Sequence, residues 1–164
     1  MARSVHREAV GYFGQALSAC PHLPETRATR EQAIDLRLAL RSALFPSGDA
    51  RRILACLREA EALAVSLDDP HRLGQVYRFL TVHFQVRGVV DQAIVTAQRT
   101  LALATASRDV VLHALANQSL GVSYLSQGDY RRAIDCFRQT VAALDGARRR
   151  ERFGQFFFPD FSDT

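Results

Sequence analysis

The feature that most constrains how this chain can fold is an internal repeat of 40 residues. Displacing the sequence against itself by that amount superimposes Leu40, Leu80 and Leu120, then Leu44, Phe84 and Tyr124, then Gly48, Gly88 and Gly128. The same displacement aligns Ile53-Leu54 with Ala93-Ile94 and Ala133-Ile134, and Thr29 with Asp69 and Asp109. Five columns keep their order and their size class, which chance matching does not produce. A period of this length marks units that cannot bury their apolar faces alone and must stack on neighbours.

Each unit reads as two helices. Ala33, Leu36, Leu40 and Leu44 fall three or four residues apart, as do Ile53, Leu57, Ala60, Leu63 and Leu67, which is the spacing of one helical face. Gly48, Gly88 and Gly128 lie between the two helices of each unit, where a residue without Cβ takes the left-handed conformation that ends a helix. Asp69 before Pro70 is a strong helix start, Asp109 a weaker one, and Thr29 with Gln32 matches a capping box. The pattern predicts helices over residues 4–19, 30–46, 49–67, 70–87, 90–106, 110–127 and 130–144.

The expected fold is therefore all-α: a right-handed solenoid of antiparallel helix pairs with about seven helices. One superhelical domain is expected over residues 1–147, with a half-repeat at 4–21, repeats at 29–67, 69–106 and 109–146, and a basic, Phe-rich tail at 148–164.

Composition narrows the class of action. With 48% apolar and 23% charged residues the usage is globular. The uncharged stretch 110–128 contains His113, Asn117, Gln118 and Ser119, too polar for a bilayer, and the N-terminus has no apolar signal region, so a cytoplasmic protein without membrane contact is expected. Arg148, Arg149, Arg150 and Arg152 against Glu151 carry +3 of the net charge of +4, leaving a nearly neutral body that does not suit nucleic acid. All 21 basic residues are arginine, which removes P-loop, Schiff-base and lysine general-base chemistry. Cys20, Cys56 and Cys136 are widely spaced within helical patterns and read as reduced core thiols.

The last unit carries the clearest wording. Leu120-Gly121, Tyr124, Gly128, Tyr130, Ala133 and Phe137 stand at the separations of a tetratricopeptide repeat, which the chain resembles over roughly residues 5–155. Ala9, Phe13, Ala16 and Pro21 match the second half of the same motif. The middle unit departs from it with Thr81 and Phe84, and the first with Arg41 and Ile53 where small residues are usual. Units of 40 to 44 residues also resemble the repeat regions of large bacterial signalling regulators that carry cyclase and ATPase domains, none of whose catalytic residues occur here.

No catalytic or metal motif accompanies the repeats. There is no His-Glu-x-x-His, Gly-x-Ser-x-Gly, phosphate loop or Cys-x-x-Cys, and the five histidines never stand three or four residues apart. A non-enzyme without cofactor or metal is expected. The resemblance implies a concave groove lined by the first helix of each unit. Its side is expected to include Leu38 and Ser42, then Gln75, Arg78, Val82 and Gln85, then Leu115, Gln118 and Val122, a mix suited to a peptide or protein partner. Family members that hold a chaperone's C-terminal carboxylate use Lys and Asn; with no Lys and only Asn117, that subclass is not indicated. The expected function is a protein-interaction scaffold in bacterial signalling or regulation. The alternative is a sensory domain that takes a small molecule and controls an effector or transcription regulator.

The tail gathers Phe153, Phe156, Phe157, Phe158 and Phe161 around Pro159, which would break a further helix. Burying one Phe contributes about 1.5 to 3 kcal/mol, so rings docked on the last helix are expected to cap the stack or join two copies into a homo-oligomer. Deleting residues 153–164 should then lower the melting temperature or the light-scattering mass. A deletion that changes neither contradicts the capping role.

Overall fold

The computed structural model describes residues 2–147, with side chains described for residues 6–144. Arg148 to Arg152 and the five tail phenylalanines, Phe153, Phe156, Phe157, Phe158 and Phe161, lie outside the described residues.

Among the described residues there are seven α-helices and no strand: α1 (Ala2–Ala19), α2 (Arg27–Leu44), α3 (Ala50–Ser66), α4 (Pro70–Val86), α5 (Val90–Ser107), α6 (Val110–Gln127) and α7 (Tyr130–Ala147). Each packs along the next, and α4 also packs on α6. The result is an all-α solenoid. None of these helices is long and apolar enough to cross a membrane.

The turns follow from a few residue types. Gly48, Gly88 and Gly128 have φ of 69°, 70° and 82°, so the left-handed column falls where the repeat places it. Asp69 and Asp109 cap α4 and α6, each carboxylate accepting from the amide three residues on at 2.9 Å. Burial alone would push the Asp69 carboxyl up, but the amide, the guanidinium and the charge of Arg72 outweigh it and hold the carboxyl below its ordinary range.

The first unit differs from expectation. Its helix begins at Arg27, three residues earlier, and Thr26 is the cap: the Thr26 hydroxyl accepts from the Thr29 amide at 3.2 Å, and the Thr29 hydroxyl accepts from the Thr26 amide at 3.0 Å. Thr29 thus closes the box from its far side, while its own hydroxyl donates to the Pro24 carbonyl at 2.8 Å. α2 also ends at Leu44, because Phe45–Ser47 tightens into a 3-10 turn around Pro46. The two turns between units rest on non-glycine residues in the left-handed region, Asp68 at φ 49° and Arg108 at φ 57°.

One column between the paired helices changes in size from unit to unit. In the last unit Gly121 stands where an added Cβ would lie 2.6 Å from the Phe137 ring, so α6 and α7 approach on a bare backbone. In the middle unit Thr81 holds the position and its hydroxyl donates to Thr96 on α5 at 2.9 Å. In the first unit Arg41 holds it. Side-chain size at this column thus rises from the last unit to the first, from Gly121 through Thr81 to Arg41.

Stacking between units shows the same contrast. A Cβ on Gly74 of α4 would meet Leu112 of α6 at 2.6 Å, so these helices run close. Across the other seam α2 stands farther from α4. There Arg72 of α4 makes a two-pronged ion pair with Asp35 of α2, both contacts at 3.0 Å, while binding Asp69 at 2.9 Å. The apolar core falls into two clusters, one across α2 to α5 with Ile34, Leu57, Val76 and Leu80 fully buried, and one among α5, α6 and α7 around Ala97, Leu120 and Tyr124. Val10, Phe13 and Leu17 of α1 cover its open end.

Replacing Gly121 by Val should lower stability by about 1 to 3 kcal/mol, the usual penalty of overpacking, with Phe137 displaced. Denaturant unfolding that leaves the midpoint unchanged contradicts the close approach.

Candidate functional site

The residues expected on the groove separate into three groups. Leu38 and Leu115 are only 8% exposed, a correction to the expectation. Leu38 belongs to the apolar core cluster, and Leu115 lies in a nearly continuous run of buried residues on α6. In a stack, the flanks of first helices that face neighbours are covered rather than presented. Gln75, Arg78, Val82, Gln85 and Gln118 are half-buried, and Ser42 and Val122 are open.

Gln85 has an internal task. Its Nε2 donates to the Ser119 carbonyl at 2.8 Å and to the Ser123 hydroxyl at 3.0 Å, tying α4 to α6. Gln75 pairs with His71 at 3.0 Å within α4. The open part of this face is therefore Ser42, Val82, Gln118 and Val122, with Val86 and Leu125 exposed nearby in sequence on the same helices.

A second site lies at the looser seam. Arg41 is 7% exposed, and its guanidinium carbon sits 4.8 Å from the Phe45 ring centre and 4.5 Å from that of Phe79. Arg78 stacks on Phe79 at 4.3 Å. Ring faces attract a cation but accept nothing from its in-plane N–H groups. The buried Arg41 Nε has no hydrogen-bond partner. Burial, and then the charge of Arg78, lower the Arg41 pKa to about 10. Burial also lowers His83, helped by the charges of Arg87, Arg41 and Arg58. Arg41, His83 and Arg87 line a cavity of about 360 Å³ with Phe45, Ile53 and Val86. Arg41 entered the sequence reading only as a misfit in a small-residue column. The missed signal was its spacing to Phe45, four residues on along one helix face.

The remaining candidates carry no chemistry of their own. Among the described residues no three His, Cys, Asp or Glu side chains cluster as metal ligands would. Burial raises the Cys56 and Cys136 thiols, which keeps them protonated and unreactive. Cys20 donates to the Ala16 carbonyl at 3.4 Å inside its own helix.

Residues 118–151 match the family model described as tetratricopeptide repeat. That match takes in the second half of α6 and the whole of α7. None of the curated proteins matches the chain significantly. Among solved structures, BtubC (BKLC) from P. vanneervenii is similar with a TM-score of 0.76 and 21% identity, over 91% of this chain and 61% of that one. The chain thus spans about three-fifths of that protein's length, and at this identity the likeness is one of fold.

In the matched segment, Gly121 is the contact that admits Phe137, and Ala133 is buried with Leu120 and Tyr124 in one apolar cluster. The same framework carried back by 80 residues reaches Arg41, so the cationic cavity occupies the place of a packing contact. Tetratricopeptide repeats generally mediate protein–protein interaction. Gln85 bears on whether the stacking of α4 and α6 is rigid. Replacing Gln85 by Ala should cost about 1 to 2 kcal/mol and increase amide exchange in the last turn of α4 and around Ser119 to Ser123. Unchanged exchange there would show that the bonds do not hold the seam.

Proposed function

We propose that this chain is a non-catalytic interaction module that holds a peptide or protein partner along the face shared by α2, α4 and α6. The observation that supports it most directly is the open end of that face: Val122 at 38% and Val86 at 68% exposed, beside the half-buried amide Gln118 and the half-buried Val82. Exposed apolar side chains interleaved with amides favour a segment that buries a few side chains and satisfies its backbone on the rim. Rigid helices on either side keep the ordering cost of binding low.

On this reading the module works in the cytoplasm, within a bacterial signalling or regulatory assembly of the kind its long units resemble. Self-association through the C-terminal end belongs to the same reading, as does the absence of nucleic acid and membrane among its partners. A second reading, a sensory domain that seats a small molecule between units and controls an effector or transcription regulator, is favoured by the 360 Å³ cavity at the looser seam.

The test is a displayed peptide library selected on the full chain, followed by calorimetry of the selected peptides. Val122→Asp and Gln118→Arg should each weaken binding at least tenfold, equivalent to about 1.4 kcal/mol. Selected peptides that bind both variants as well as the parent place the partner elsewhere and remove the groove from the account.

A further inference from the structure

The half-repeat, the two seams and the open face leave one group unexplained: a guanidinium inside the protein without a counter-ion. Arg41 stands over the Phe45 and Phe79 rings, which attract its charge but accept no hydrogen bond from its in-plane N–H groups. No hydrogen bond or ion pair joins that guanidinium to another described residue, and its buried Nε is unpartnered. An orphaned donor of a charged group in such a place costs more than a neutral one and is rarely left unmet. A stacked guanidinium presents two parallel donors to an oxyanion, a geometry that ammonium groups do not offer.

The surroundings agree in sign. The cavity beside Arg41 is also lined by His83 and Arg87 from the end of α4 and by the backbone of Gly48 and Ala50 at the start of α3. No carboxylate lines it. The nearest in sequence, Asp49, accepts from the Arg52 amide at 3.1 Å and lies 4.0 Å from the Arg52 guanidinium, along a separate cavity of about 570 Å³ shared with α1. Glu61 is held by Arg58 at 2.7 Å and Arg99 at 3.8 Å, and Glu59 by Arg37 at 2.9 Å. Three arginines, Arg41, Arg78 and Arg87, and His83, whose lowered pKa leaves it a neutral N–H donor near pH 7, therefore share this seam without an acidic partner among the residues that line the cavity.

We propose that the cavity between α2, α3 and α4 is an oxyanion site in which the edge of Arg41, with His83 and Arg87, pairs with a carboxylate or phosphate group. The Phe45, Ile53 and Val86 side chains give the site an apolar wall for the carbon part of such a ligand. The volume suits one small anion or one anionic side chain, at the small end of ligand pockets. This deepens the reading in which the cavity seats a small molecule and rests on that reading; it does not need the groove, with which the cavity shares only Val86.

The probes are inorganic phosphate and acetate, each titrated into the full chain against sodium chloride of matched ionic strength. The site predicts a saturable rise in melting temperature with one of them, about 3 to 5 °C at tenfold excess over its dissociation constant. The same titration should shift the amide resonances of Gly48, Ala50, His83 and Arg87. Phosphate acting alone assigns a phosphorylated ligand and acetate acting alone a carboxylate. Arg41→Met keeps the side-chain volume and removes the charge, so it should abolish the rise. Arg87→Gln, at an exposed position that does not threaten folding, should weaken it at least threefold. No rise beyond the chloride control overturns the proposal. So does a rise that Arg41→Met leaves intact or, should that variant fail to fold, one that Arg87→Gln leaves intact.

Discussion

How near two helices can stand is decided by the smallest side chain between them, and in this stack that position recurs once per unit. Gly121 admits the Phe137 ring against bare backbone, Thr81 reaches across to Thr96 with a hydroxyl, and Arg41 fills the place with a stacked cation. Close-packed interiors respond to a single methylene, so a guanidinium at this column must be housed in a different way from a glycine: Arg41 stands over Phe45 and Phe79 and borders a cavity.

The seams between units repeat the contrast by other means. At Gly74 the absence of a side chain lets α6 settle on α4, and Gln85 then locks them with two hydrogen bonds into the α6 backbone and Ser123. At the other seam Arg72 bridges to Asp35, an arrangement of charges at the surface that joins helices without drawing them close. A stack built this way has one tight joint closed by a glycine and an amide and one wider joint bridged by charge.

Much of this was legible in the sequence, and for stated reasons. The apolar spacing of α3 to α7, the left-handed glycines and the caps Asp69 and Asp109 are local signals, each needing only residues within one or two turns. The cap of α2 was placed three residues late because Thr26 and Thr29 carry the same hydroxyl, and only the extended backbone at Thr26 tells which one is outside the helix. The groove was half legible. Leu38 and Leu115 sit on the expected helices but face neighbours, and which flank a neighbour covers is a property of the stack, not of the helix. The Arg41 site was visible only as a broken column, since Phe79 reaches it from the next unit.

The central claim is that successive pairs are related by translation along one axis. Ser42, Val82 and Val122 are equivalent positions on α2, α4 and α6, so three spin-label distances test the claim most directly. With neighbouring helices spaced by about 10 Å and α2 standing farther from α4 than α6 does, the Ser42–Val82 distance should exceed the Val82–Val122 distance, and the Ser42–Val122 distance should be close to their sum. Three equal distances would describe helices closed around a common centre and contradict the stack.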